Sequence, residues 1–78
     1  MDLEELKTRF TYHAPDDDKI SRHAAIRKQG LQLAMTFDQL APESREKELA
    51  MAKLEEAVMW LNAAIARRIE PRHEGSFD

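Results

Sequence analysis

The sequence contains no cysteine among its 78 residues, and this absence excludes two classes of structure. A chain without thiols can form neither a disulfide framework nor a thiolate zinc site. A domain of this length buries only about 60–65% of its unfolded surface, so its core is small and usually needs an additional source of stability. With disulfides excluded, self-association is the most obvious remaining source.

Long apolar runs and positive net charge are also missing. No apolar run approaches the roughly 20 residues that span a bilayer, and no signal peptide is visible. The formal net charge of −3 argues against a surface that coats nucleic acid. Neither a membrane nor DNA is therefore expected as a partner, although a local anion site is still compatible with this charge.

Recognisable catalytic and metal-binding motifs are absent as well. His13, His23 and His73 are too scattered for an HExxH-type pair, and the acidic run Asp16–Asp18 is better explained as charge at a helix start. The sequence has no GxSxG motif, no Gly-rich phosphate loop and no Walker pattern. We therefore predict a protein that is not an enzyme and that has no metal and no cofactor.

The chain is organised around one long predicted helix, Ser44–Ile69, which no glycine or proline interrupts. Ser44 can cap its start, and Pro71 ends it. Trp60 and Ala63 lie opposite the main apolar arc, so this helix must be covered on more than one side. The main arc, suited to one partner helix, contains Ala50, Leu54, Val58, Leu61, Ile65 and Ile69.

A second helix is predicted over Asp16–Leu40, with Asp16 as N-cap, and a short helix over Asp2–Phe10. The tight connection Ala41–Glu43 makes the two long helices antiparallel neighbours. The expected fold class is all-α, a single helical-hairpin domain. Its parts are a short helix and loop (1–15), two helices (16–40 and 44–69) and a polar, frayed tail (70–78).

The second helix carries a wide apolar arc with two edges. Arg27 and His23 project between these edges, and a cation in that position needs a carboxylate such as Glu55 or Glu56, or an anionic ligand. Gly30 would permit close approach of another backbone or a ligand. One edge contains Ile20, Ala24, Leu31 and Ala34, and the other contains Ile26, Leu33, Phe37 and Leu40.

One hairpin and one short helix cannot cover all of these apolar faces. We therefore predict a symmetric homo-oligomer, a dimer or a larger assembly. For Trp60 the favoured interpretation is a packed interface aromatic, and for Asn62 it is a hydrogen bond between helices. Arg67 and Arg68 suit the negative end of the helix dipole, and in an axial assembly they would surround a shared anionic pocket.

An anion-binding site is the functional pattern that the residues favour. Tyr12 and His13 lie in a loop that leads into a basic helix, where Arg22, His23, Arg27 and Lys28 follow. An aromatic ring can stack on a base, and arginine can bind a phosphate through two nitrogens. The competing interpretation is that Tyr12 packs as a hydrophobic plug and that the cations form a solvated face.

Two segments of the chain, TYHAPDDDKISRHAAIR and SREKELAMAKLEEAVMWLNAAIAR, resemble a known family. They are similar to the small phage proteins called anti-CBASS protein 2, which share a helical-hairpin domain with a Thoeris anti-defence sponge. The similarity runs from about Thr11 to Arg67, although the family pattern has Ala where this chain has Leu61. The resemblance implies a homo-hexamer in the host bacterial cytoplasm that sequesters cyclic nucleotide messengers of CBASS immunity without cleaving them.

The resemblance also implies roles for individual residues. Tyr12 would stack on a base of a cyclic dinucleotide, and Arg27, or else Lys28, would meet its phosphates. Some members have a second pocket for cyclic trinucleotides, for which Arg68 and Gln29 are the candidates. The ligand-binding residues predicted from the residues and from the resemblance together are Tyr12, His13, His23, Arg27, Lys28, Gln29 and Arg68.

Two other classes of function stay open at this point. A helical oligomerisation or adaptor module would bind a protein partner in an apolar groove and would not respond to cyclic nucleotides. A small nucleic-acid regulator is disfavoured by the acidic net charge and by the lack of a clear recognition helix.

Overall fold

The computed structural model describes residues 1–69 and contains three helices within them: α1 (Leu3–Phe10), α2 (Asp17–Leu40) and α3 (Arg45–Arg68). No strand occurs in this part of the chain. The prediction of an all-α fold with a short helix and a two-helix hairpin is confirmed. The predicted tail, 70–78, and the predicted stop at Pro71 lie outside the described residues.

Polar side chains fix where the long helices begin. The Asp16 carboxylate accepts a hydrogen bond from the backbone N–H of Lys19 at 2.9 Å, and Ser44 Oγ accepts one from the backbone N–H of Lys47 at 3.1 Å. Each bond satisfies a backbone donor that a helix start otherwise leaves unpaired. Both predicted N-caps are therefore confirmed, and both long helices begin one residue after their cap.

The connection between α2 and α3 is held by Lys47. Its ammonium group donates to the backbone carbonyls of Asp38 and Ala41, at 2.9 and 3.1 Å, and pairs with the carboxylates of Asp38 and Glu43. These carboxylates raise the pKa of Lys47. One side chain thus binds the end of α2, the turn and the start of α3 together, which fixes the antiparallel arrangement.

The two long helices approach each other closely at Gly30. A Cβ atom placed there would lie 2.8 Å from Cγ2 of Val58, so the missing side chain leaves room for the facing helix. Two turns before Gly30 in α2, His23 Nδ1–H donates to Oδ1 of Asn62 at 2.8 Å. The predicted role of Asn62 as an interhelical hydrogen-bonding residue is confirmed.

The side of α2 that faces α3 carries residues of both predicted apolar edges, because Ile26 from one and Ala34 from the other are half-buried. Ile20 and Leu31, which belong to one predicted apolar edge, are exposed, and so is Ala24. The close approach at Gly30 places the Gly30 side of α2 against α3 and leaves Ile20, Ala24 and Leu31 exposed. The residues of α2 on the packed face are Lys19, His23, Ile26, Gly30 and Ala34.

The hairpin leaves most of its apolar surface uncovered. Within residues 1–69 no apolar side chain is buried, and Trp60 is 61% exposed. Trp60 does not pack within the protomer, so its role as a packed interface aromatic stays a prediction. This uncovered surface is the observation on which the predicted self-association depends. None of the described helices is long and apolar enough to cross a membrane.

Replacing Asn62 with alanine should destabilise the hairpin. The substitution leaves His23, which is half-buried, without its hydrogen-bond partner, and such a loss costs about 1–3 kcal/mol. Urea unfolding followed by circular dichroism should show a lower midpoint for Asn62→Ala. Gln39→Ala is the matched control because it removes an exposed amide near the end of α2. Equal midpoints for the two variants would show that the His23–Asn62 bond contributes nothing.

Candidate functional site

A pocket opens at the end of the hairpin that is farthest from its turn. At this end α2 begins, α3 ends, and the segment between α1 and α2 crosses them. The pocket has a volume of about 400 Å³, within the usual range for small-molecule sites. We call it the Tyr12 pocket; its polar and aromatic lining consists of Tyr12, His13, Lys19, Arg67 and Arg68.

The short segment after α1 presents Tyr12 to this pocket. The backbone N–H of Thr11 donates to the Lys7 carbonyl at 3.1 Å, and Nε2–H of His13 donates to the Thr8 carbonyl at 2.6 Å. These two bonds hold the residues on either side of Tyr12 against the end of α1. The Tyr12 ring itself is 85% exposed, so it does not pack as a hydrophobic plug within the protomer. Its face is open for stacking.

Lys19 is the most buried side chain of the pocket, and the sequence analysis missed it. The residue is only 4% exposed, and its ammonium group donates to the Ala66 carbonyl at 3.0 Å. This bond satisfies a carbonyl in the last turn of α3, where a cation also suits the helix dipole. The signal that could have identified it is its position one turn into α2, in line with His23 and Gly30.

Two arginines from the end of α3 complete the positive side of the pocket. Arg67 is half-buried, and its guanidinium group makes no hydrogen bond or ion pair with any of residues 1–69. Arg68 instead binds the carboxylate of Glu5 through both terminal nitrogens, at 2.9 and 2.8 Å. Glu5 also accepts from Nε of Arg9 at 2.7 Å.

Arg68 and Arg9 both change the pKa of the Glu5 carboxyl. Hydrogen bonds from Arg68 and then from Arg9 lower the pKa of the Glu5 carboxyl from 4.5 to about 2. A carboxyl whose pKa is lower in the folded state stabilises the fold above the unfolded value. The contribution of Glu5 is therefore present above about pH 4.5 and is lost as the pH falls towards 2. At neutral pH the carboxylate that faces Arg68 is charged.

A second pocket lies on the other side of the two arginines. It has a volume of about 370 Å³ and is lined by Trp60, Arg9, Arg67 and Arg68, together with small residues of α3. The indole N–H of Trp60 donates to Glu56 at 3.3 Å. The ring is exposed and lines this pocket together with the arginines. Arg67 and Arg68 therefore border both pockets.

Only some of the predicted ligand-binding residues come together in one protomer. Tyr12, His13 and Arg68 line the Tyr12 pocket, whereas His23 is turned inward to Asn62. Arg27 follows Lys19 by eight residues, which separates them by about 12 Å along α2. The exposed residues Arg27, Lys28 and Gln29 do not line this pocket.

The expected environment of Arg27 is wrong for the single chain. Its side chain was placed inside an apolar arc with Glu55 or Glu56 as possible partners, but Arg27 is exposed and forms no ion pair with either. The side of α2 that faces α3 carries His23, Ile26 and Gly30, and Arg27 falls outside it. In the protomer, Arg27 therefore needs no compensating carboxylate.

The chemistry of the Tyr12 pocket is that of an anion receptor with an aromatic wall. Lysine and arginine supply charge, arginine can form paired hydrogen bonds to a phosphate, and the tyrosine ring can stack on a base. Residues 1–69 contain no group of three or more His, Asp or Glu side chains that could hold a metal ion. The side chains of the Tyr12 pocket are suited to binding an anion that carries an aromatic base.

An apolar groove runs along the outer side of the hairpin beside this site. Its volume is about 410 Å³, and its walls come from both long helices. Arg22 and Arg68 border the groove, and the apolar wall includes Ile26, Leu61, Ile65 and Ile69. The groove is suited to receive an apolar helix face.

Comparison with known proteins identifies the family. A family model described as Acb2/Tad1, hairpin domain, matches residues 2–66, which is most of the chain and covers all of α1 and α2. No curated protein sequence and no solved structure matches. The chain therefore belongs to the Acb2/Tad1 hairpin family, in agreement with the resemblance found in its sequence.

Proposed function

We propose that this member of the hairpin family is a phage anti-defence sponge that sequesters cyclic di- and trinucleotide messengers of bacterial CBASS immunity. Membership of the family supports a ligand-binding sponge. The observation that supports the proposal most is the open Tyr12 ring above a cluster of cations formed by Lys19, Arg67 and Arg68. A cyclic nucleotide has a base that can stack on the tyrosine ring and phosphates that can bind the cations.

Sequestration requires only affinity and abundance. A binder present in excess lowers the free messenger below the dissociation constant of its effector, and the messenger is left intact. In this proposal Tyr12 stacks on a base and Arg67 and Arg68 meet phosphate oxygens. Arg27, Lys28 and Gln29 enter the site only from a neighbouring protomer, because they do not line the Tyr12 pocket of their own chain.

A homo-oligomer, for which the family resemblance implies a hexamer, is part of the same proposal. The apolar groove between Ile26, Leu61 and Ile65 gives each chain a surface for another copy. Assembly would cover apolar residues that the protomer exposes and would enclose a ligand between chains. Native mass spectrometry at micromolar concentration measures this state, and a monomer would contradict this part of the proposal.

A thermal-shift panel tests the function. Cyclic di-AMP, cyclic GMP–AMP and cyclic tri-AMP are compared with linear AMP at equal phosphate concentration. A ligand at 100 times its dissociation constant stabilises by about 2.7 kcal/mol, which raises Tm by roughly 10 °C in a protein of this size. The bound nucleotide should be recovered intact after denaturation. Recovery of cleaved nucleotide would instead indicate an enzyme.

The alternative function is a helical adaptor that binds a protein partner. The observation in its favour is the same apolar groove, which could receive an amphipathic helix. The panel separates the two functions, because an adaptor gives no thermal shift with any cyclic nucleotide.

A further inference from the structure

The orientation of α1 depends on a polar contact. None of its side chains is buried, and its apolar residues Leu3 and Phe10 are 63% and 81% exposed. A helix of eight residues is not stable alone and must be held by something outside itself. The ion pair between Glu5 and Arg68 joins α1 to the end of α3 and supplies this attachment.

The geometry of this ion pair is that of a bound anion. Two carboxylate oxygens of Glu5 face two terminal nitrogens of Arg68 at 2.9 and 2.8 Å, in the paired arrangement that arginine also makes with phosphate. Arg9 donates to the same carboxylate at 2.7 Å. The guanidinium group that borders both pockets is thus already engaged by an anion from the protein itself.

The neighbouring cations lack such a partner. Arg67 makes no ion pair with any of residues 1–69, and the ammonium group of Lys19 is bonded to a neutral carbonyl. An anionic ligand can therefore meet the guanidinium group of Arg67 directly, and Lys19 adds positive charge beside it. To use Arg68 as well, it must replace Glu5.

We propose that Glu5 is an internal competitor that occupies the phosphate position at Arg68 until a ligand displaces it. Displacement frees the carboxylate and removes the attachment of α1, so α1 separates from α3 when the site is filled. Glu5 thereby lowers the affinity for anions and couples ligand binding to the position of α1. The ligand class rests on the proposed function, whereas the competition itself concerns any phosphate-bearing anion.

The test compares Glu5→Gln with Glu4→Gln. Both remove one negative charge from the first turn of α1, but Glu4 forms no ion pair within residues 1–69, so only Glu5→Gln weakens the contact with Arg68. Calorimetry with cyclic tri-AMP and with inorganic pyrophosphate gives the two affinities. We expect Glu5→Gln to bind roughly tenfold more tightly than wild type, and Glu4→Gln to differ from wild type by less than about twofold.

Hydrogen–deuterium exchange of residues 3–10 provides a readout that does not require tight binding. Saturating cyclic tri-AMP or pyrophosphate should speed exchange in wild-type α1, and Glu5→Gln should show the fast exchange without ligand. Equal or weaker binding by Glu5→Gln, or α1 exchange that slows when ligand binds, overturns the competition and leaves the sponge intact. If cyclic tri-AMP does not bind but pyrophosphate gives the expected pattern, the ligand assignment fails and the competition stands. If neither anion affects α1 and the two variants exchange alike, the competition is wrong.

Discussion

Replacing Tyr12 with alanine is expected to weaken cyclic dinucleotide binding by roughly 5- to 150-fold. This range corresponds to the 1–3 kcal/mol that stacking of one base on an aromatic side chain contributes. The Tyr12 ring is 85% exposed, so its removal should leave Tm unchanged. Isothermal titration calorimetry measures the affinity, and a thermal melt without ligand checks the fold.

Two further variants make the Tyr12 experiment specific. Tyr12→Phe keeps the ring and should bind within a fewfold of wild type if stacking is the main interaction. Phe10→Ala removes an aromatic side chain that is similarly exposed, at 81%, two residues earlier and outside the Tyr12 pocket. A loss of affinity as large in Phe10→Ala as in Tyr12→Ala would assign the effect to lost apolar surface. Unchanged affinity in Tyr12→Ala would remove Tyr12 from the site.

Replacing Gly30 with alanine should destabilise the hairpin, although alanine is the better helix former by about 1 kcal/mol. The new Cβ would lie 2.8 Å from Cγ2 of Val58, and a branched side chain in a helix cannot easily turn away. Overpacking of this kind costs about 1–3 kcal/mol, so the net loss should reach up to about 2 kcal/mol. Thermal unfolding should show a Tm that is lower by up to roughly 8–16 °C.

A compensating substitution tests the cause of that loss. Val58→Ala removes the methyl group that the new Cβ would meet, so the double variant should recover stability relative to Gly30→Ala. If Gly30→Ala melts above wild type, the helices separate without cost and the close approach is not required. Oligomer mass should be recorded for each variant, because a shifted hairpin would also move the outer apolar faces.

Local sequence signals predicted the helices well. Asp16 and Ser44 each have a side-chain oxygen that can accept a backbone hydrogen bond, and both N-caps are confirmed. The short connection after Leu40 required antiparallel helices, which the hairpin confirms. These signals are local because each depends on residues within one turn of the chain.

The rotation of α2 could not be predicted in the same way. Apolar periodicity marked two edges of α2 without choosing between them, and the helices meet on the face that carries Gly30, with part of each edge. Apolar residues mark surfaces that must be covered, and they do not say whether a partner helix or another chain covers them. The same ambiguity led to the wrong expectation for Arg27, which is exposed in the protomer.

The Tyr12 pocket was predicted only in part for a related reason. Tyr12 and His13 adjoin in sequence, so their grouping is visible, whereas Lys19 and Arg67 join them only after the chain has reversed direction. The contact of Glu5 with Arg68 spans 63 residues and has no local signature. Interactions across the open end of the hairpin require the register of α2 on α3, which His23 and Asn62 help to fix.

The position of the Tyr12 pocket has a consequence for the order in which the protein forms. Helical hairpins close most readily next to their turn, where the loop is shortest, and pairing then extends outward. Lys47 holds together the end next to the turn, and Lys19 donates to the Ala66 carbonyl at the opposite end. We therefore expect the binding surface to form last when the hairpin folds and to open first when it unfolds, so a bound messenger would stabilise the open ends of the two helices.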